Sequence, residues 1–340
     1  MNKYSHLDES TKQAIDSFLK TAMKVAKRFG QSNPSEDTRN EYMKMAKQLL
    51  LKKAKNKQSL RQIISSTRSK RTYYKRITAL RYYILLIGSE SAETLIKERC
   101  PIAENNIKKA AVDVADLLEV IKKGPGKIFS KTASKRSSLQ GLPNDWVEKM
   151  CNYNEHSKYR DALHVVALTG CRPSELQKGV LVTYKTNING ESELTFKISG
   201  SKVTNHSGQE WRTITYHNIE SSGIFSSFIE SVKIAGKKKI SIDSPVNFTV
   251  EIRRIAQSIW HDHKKPVTAI CFRHQFSANL KSMKIGDDTS RALGHRSTKT
   301  RRLYGTASQA RGKPVGISIS SSHDLKQHPE KEMTELSHEK

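Results

Sequence analysis

Apolar positions recur at three- and four-residue intervals through most of the first 123 residues, the spacing of helices that bury one face. Residues 12–29 carry this period up to Gly30, Asn33-Pro34-Ser35 interrupts it, and residues 38–51 resume it. From Lys52 to Arg81 the apolar set is Leu60, Ile63, Ile64, Tyr73, Tyr74, Ile77 and Leu80, again on helical spacing. Residues 79–87 and 103–122 add two further helices, and no alternating strand pattern precedes residue 124. The pattern then breaks. Residues 124–140 are rich in Gly, Ser and basic side chains without an acid, the composition of a flexible basic linker.

Beyond the linker, residues 142–151 predict a short helix capped at Asn144 or Asp145, and residues 159–168 a strongly apolar one closed by Thr169-Gly170. In Cys171-Arg172-Pro173, the proline suits the first turn of a new helix, which leaves Arg172 at a helix amino terminus. Residues 193–216 alternate as a hairpin, with Lys202 at its tip end. A helix over about 270–283, a Gly-Asp-Asp turn and a second helix through Leu293 follow, and a basic segment then leads to Tyr304. Residues 313–340 form a polar tail. They read as disordered, or as lending the apolar stretch around Ile317 and Ile319 to a neighbouring protomer. The expected fold is therefore mainly α with a small antiparallel sheet (α+β). Its parts are a basic helical domain (1–123), a linker (124–140), a second domain (141–312) and the tail.

Charge changes this picture. The 340 residues hold 60 Lys+Arg against 33 Asp+Glu, a formal net charge of +27, which points to a polyanionic partner, most commonly nucleic acid. Residues 1–137 carry net +17, and Lys52–Arg81 holds eleven basic residues and no acid. The polar face of that stretch presents Arg61, Arg68, Lys70, Arg71, Lys75 and Arg76. An all-positive face repels itself unless an anion compensates, so these six are expected to contact a phosphate backbone. No apolar run approaches the ~18–20 residues of a membrane span, and the start lacks a secretory pattern. Four scattered cysteines without CxxC spacing fit a reduced, cytoplasmic setting and give no zinc site.

Single motifs in the second domain are weak, but their order is not. Thr169-Gly170-Cys171-Arg172-Pro173-Ser174-Glu175-Leu176 is followed by hairpin Lys202, then Arg273-His274, then Leu293-Gly294-His295, and Tyr304 nine residues later. This set resembles the tyrosine recombinase (phage-type integrase) family over residues 142–308; the helical region before it is similar to the family's core-binding domain in character only.

The resemblance implies Tyr304 as nucleophile forming a 3′-phosphotyrosyl link, Arg172 and Arg273 as clamps on the scissile phosphate, and Lys202 as general acid for the 5′ oxygen. It also implies that His295 bonds the phosphate or supports the tyrosine, and that Glu175 and His274 play supporting parts. Chemistry agrees: guanidinium forks suit non-bridging phosphate oxygens, and a lysine is a serviceable acid. No metal or other cofactor is expected. By resemblance the partners are duplex DNA, three further copies of the chain on paired sites, and accessory DNA-bending proteins, in a bacterial nucleoid. One position departs from the family: three residues before Arg273, where a histidine is usual, stands Ile270. That keeps open a non-catalytic DNA-binding protein on the same scaffold; a relaxing topoisomerase of the type IB kind is a third reading.

Overall fold

The computed structural model describes residues 4, 6–29, 34–125, 135–153, 156–186, 188, 190–204, 207–219, 225–311 and 316–327. It divides into two compact units, Met1–Thr132 and Ala133–Lys340, the division falling inside the segment expected as linker. The architecture is mainly helical with one small antiparallel sheet, the α+β class expected.

The first unit comprises α1 (Glu9–Phe29), α2 (Glu36–Asn56), α3 (Leu60–Ser65), α4 (Lys70–Lys97) and α5 (Pro101–Lys123). Its core joins Ile15 and Phe18 of α1 to Leu60, Ile63 and Ile64 of α3, Tyr73, Ile77, Leu80 and Ile84 of α4, and Ile107, Val114 and Leu117 of α5. The basic stretch from 52 to 81 is cut twice by local chemistry. Lys57 turns left-handed after α2, and Ser59 caps α3 in a reciprocal box with Gln62. Ser69 then caps α4 by accepting from the Thr72 N–H. Tyr74, expected inside, is 43% exposed.

Two of the six residues expected to contact phosphate have partners within the protein. Arg76 donates to the carbonyls of Ile63 (2.8 Å) and Ile64 (3.2 Å) and to Ser66 Oγ (3.0 Å). It thereby serves carbonyls at the end of α3, where Ser66 also donates to Ile63 O. Lys75 pairs with Glu41 of α2, so the face is not free of acid as the linear sequence implied. Arg61, Arg68, Lys70 and Arg71 stand exposed.

The second unit begins earlier than expected. Residues Lys135–Leu139 form a short 3-10 helix whose Leu139 is buried in the unit's core, so the end of the supposed linker belongs to it. There follow α6 (Trp146–Tyr153), α7 (Arg160–Thr169), α8 (Pro173–Lys178), β1 (Val180–Thr186), β2 (Ser192–Ser199) and β3 (Trp211–His217). Then come α9 (Ser226–Ala235), β4 (Lys237–Ile240), α10 (Pro245–Ile259), α11 (Ala269–Ser282), α12 (Asp288–Ala292), a 3-10 helix (Thr298–Leu303) and β5 (Gly316–Ser321).

The strands form one antiparallel sheet in the order β4-β1-β2-β3-β5. Val180, Val182, Leu194, Phe196, Ile198 and Ile214 bury one face of it. The expected hairpin is its centre. Part of the tail forms a strand: Ile319 pairs with Ile214 and Ile317 with Tyr216, so residues 316–321 extend the sheet at β3. Among the described residues no helix is long and apolar enough to cross a membrane.

Candidate active site

Four separate elements of the second unit deliver their side chains to one place. α7 ends at Gly170 in the left-handed region, and Arg172 then sits at the amino-terminal cap of α8 with Pro173 in its first turn. Arg273 lies in the second turn of α11. His295 follows Gly294 after α12, and Tyr304 follows the 3-10 helix of residues 298–303.

The organiser is Glu175, which is fully buried. Its carboxylate accepts from the Arg172 backbone N–H (2.8 Å), from Arg172 Nη1 (2.6 Å) and from Arg212 Nη2 (2.8 Å). Burial alone would raise its pKa, yet the charges of Arg212, Arg273 and Arg172 hold it far below the ordinary carboxylate range. It is therefore a permanent anion among arginines. Arg172, by contrast, keeps 21% of its side chain exposed and faces outward from this anchor.

Arg273 is 1% exposed, and its guanidinium spends three of its five N–H groups inside the protein. Nη1 donates to Gly170 O (2.8 Å), and Nη2 donates to Leu293 O and to His295 Nε2 (3.2 Å). The two carbonyls close α7 and α12, whose ends need such donors. Burial, and then Arg172, push the Arg273 pKa down to about 10, so it stays charged at neutral pH.

The Arg273 guanidinium lies 4.9 Å from the centroid of the Tyr304 ring, in cation–π contact. His295 stacks on the same ring at 5.4 Å, and His274 meets it at 5.3 Å. Burial works against ionisation of the Tyr304 phenol. The charges and hydrogen bonds of Arg273 and Arg172 outweigh it and bring its pKa below the ordinary tyrosine value.

Both histidines are neutral. Burial, then the surrounding arginines, hold His295 down to about 2; burial, then Arg136, Arg273 and Lys281, hold His274 down to about 4. Because Arg273 donates to Nε2 of His295, the imidazole proton belongs on Nδ1, which is buried with no partner. His295 is thus an available neutral donor and a poor base. Ile270, in the first turn of α11, packs against the apolar core.

Lys202 stands exposed in the β2–β3 connection, and it lines a cavity of about 200 Å³ together with Arg172, Gly294, His295, Arg296 and Thr300. Its loop is tied down on two sides. Ser174 of α8 bonds Ser201 at 2.9 Å, and Gln209 Nε2 donates to the His295 carbonyl at 3.0 Å. Gly208 has φ +78°, and a Cβ there would lie 2.1 Å from the Lys202 carbonyl, so only glycine fits that turn.

All seven residues named in this unit from sequence (Arg172, Lys202, Arg273, His295, Tyr304, Glu175 and His274) therefore lie in or beside one cluster. The residue missed is Arg212. It is fully buried on β3, bonding Glu175 and, through Nε, the Ala292 carbonyl at 2.6 Å. Its signal was present: strand alternation puts it on the same face as Ile214 and Tyr216, and an arginine on an inward face needs a buried acceptor.

No protein-family model and no curated protein matches this chain. Among solved structures, one described as the crystal structure of XerA recombinase is similar to it, with 15% identity over 86% of this chain and 93% of that chain, at a TM-score of 0.30. A likeness of that size carries no argument, and the function is read from the side chains.

Proposed function

We propose that this protein is a site-specific DNA recombinase that cleaves and rejoins duplex DNA through a 3′-phosphotyrosyl intermediate on Tyr304. The observation that carries the reading is a phenol made more acidic by two guanidiniums that reach it from helices about a hundred residues apart in sequence. A tyrosine placed only for packing has no need of that arrangement.

In the proposed step the Tyr304 Oη attacks the scissile phosphorus and its proton leaves to solvent. The bond from phosphorus to the 5′ oxygen breaks, and the ammonium of Lys202 protonates that oxygen. Arg172 and the unspent N–H groups of Arg273 neutralise the extra charge on the non-bridging oxygens; a preorganised donor of this kind is worth roughly 3–4 kcal/mol in the barrier. His295 adds its Nδ1–H. Rejoining is the reverse attack by a 5′ hydroxyl, so one phosphodiester is exchanged for another. With the phenol activated by arginine charge, the reaction depends less on a strong base, which makes Ile270 tolerable three residues before Arg273.

Duplex DNA is the proposed partner, with Arg61, Arg68, Lys70 and Arg71 of the helical unit on its phosphates. A homo-tetramer on paired sites, assisted by DNA-bending proteins, is the proposed assembly. A binding protein without cleavage keeps one observation, Ile270. The deciding experiment incubates the full chain with nicked duplexes of randomised sequence and looks for protein–DNA adducts that survive denaturation. Adducts support the enzyme, and their absence supports the binder. Strand exchange between captured sites then separates a recombinase from a relaxing topoisomerase.

A further inference from the structure

The segment that carries Tyr304 is held against α11 in an unusual way. Lys281, near the end of that helix and half-buried, donates from Nζ to three backbone carbonyls: Arg301 (2.9 Å), Tyr304 (3.3 Å) and Gly305 (2.6 Å). An ammonium has three N–H groups, and here all three have acceptors on a single stretch of chain. Arg301 O also accepts from the Tyr304 N–H at the end of the 3-10 helix of residues 298–303, and Tyr304 and Gly305 follow directly after that helix.

The charged groups around Lys281 are Arg136 from the 3-10 helix at 135–139, Arg301, which is itself bound to Asp287 at 3.2 Å, and His274 two turns earlier on α11. Among the described residues no carboxylate pairs with it. Gly305 supplies an independent contact. It is buried, and a Cβ on it would stand 2.3 Å from the His274 carbonyl and 3.0 Å from Ala278 Cβ. His274, Ala278 and Lys281 are spaced four and three apart, so one face of α11 receives the chain immediately after the tyrosine.

We propose that Lys281 is a positioning residue: it clamps the Tyr304 segment to α11 of its own chain and so fixes the phenol beside Arg273, which the same helix carries. The proposal rests on Tyr304 being the nucleophile, but the clamp itself can be tested without DNA. Burial, then Arg136 and Arg301, lower the Lys281 pKa to about 8. Deprotonation removes one of the three donors, so the clamp loosens as pH rises through that value.

The experiment measures hydrogen exchange across residues 298–305 in the full chain. Lys281→Met keeps the stem and removes the donors, and Lys281→Arg keeps donors that do not titrate. In the Met variant this segment should exchange about tenfold faster or more while the central strands keep their protection. Wild type should show excess exchange in the same segment between pH 7 and 9, and the Arg variant should not. The pH series needs no substitution, so it decides the matter even if the Met variant folds poorly.

On nicked duplex DNA the Met variant should bind within about twofold of wild type yet form adduct at least about tenfold more slowly, a split between binding and rate. Unchanged exchange at 298–305 in both the Met variant and the wild-type pH series overturns the clamp, whatever the DNA assay reads. Normal clamping in a wild type that forms no adduct overturns the nucleophile and leaves the clamp standing.

Discussion

In the helical unit Arg61, Arg68, Lys70 and Arg71 stand exposed around α3 and the start of α4, whereas in the second unit Arg212 and Arg273 are at most 1% exposed and Arg172 is anchored to a buried glutamate. The same type of charge does two different jobs. Exposed charges attract a polyanion at long range and are interchangeable. Buried ones must each have acceptors, so they are fixed in place and hold their surroundings in place with them. Arg273 shows how far this goes: it closes the ends of two helices while lying against the ring of Tyr304. The site is thus part of the unit's core, and the surface proposed to meet DNA phosphates is not.

The sharpest way to break this comparison is Glu175→Gln. It leaves Arg172 and Arg212 without their anion, and breaking a buried pair of this kind costs about 3–5 kcal/mol. All three tryptophans, Trp146, Trp211 and Trp260, lie in the second unit, so their fluorescence reports its unfolding alone. The denaturation midpoint read that way should fall steeply. A quadruple Gln replacement of Arg61, Arg68, Lys70 and Arg71 should leave it unchanged.

Arg172→Ala comes next, because this arginine is partly exposed and its loss spares most of the buried network. Adduct formation should fall by roughly 10²–10³-fold with the chain still folded. The quadruple variant sharpens the other side: it should lower the slope of log affinity against log salt by about 3–4, with the adduct rate at saturating DNA preserved. A salt slope equal to that of wild type would place the DNA elsewhere.

Acid gives the smallest effect and the same contrast. His274 and His295 have folded pKa values lowered to about 4 and about 2, from an ordinary value of 6.5. Below pH ~6.5 the unfolded chain therefore binds protons that the folded unit refuses, and stability falls as pH drops toward 4. Among the described acid-titrating groups of the helical unit, those displaced are the carboxyls of Asp8 and Glu119, both lowered, so any loss there waits for lower pH. Unfolding followed by tryptophan should shift between pH 6.5 and 4.5, ahead of the helical signal of the first unit.

What the sequence made legible follows from the range of each interaction. The helices and the β2–β3 hairpin carry their own periodicity, so they could be read directly. β4 is three lysines and an isoleucine; nothing local marks it as a strand, and only pairing with β1 makes it one. The cuts at Ser59 and Ser69 were written in capping residues that a strong apolar period masked. The internal partners of Arg76 and Lys75, the end of α3 and Glu41, were not legible because folding brings them together. Four members of the ordered Arg–Lys–Arg–His–Tyr set, Arg172, Lys202, His295 and Tyr304, were readable because each sits at an element boundary with Gly or Pro beside it or shortly before it, whereas Arg273, inside α11, was readable from its place in the order. Arg212, near the start of β3, had only strand alternation to mark it.

The central claim is that Tyr304 is a nucleophile whose acidity comes from Arg273 and Arg172. It is tested most directly by capturing denaturation-resistant adducts on nicked duplexes with wild type and with Tyr304→Phe, at equal DNA occupancy, and mapping the linked residue by mass spectrometry. The account predicts adducts in wild type, linked through the residue-304 peptide, and none in the Phe variant. Adducts that persist in the Phe variant, or a linkage to any other residue, would contradict it.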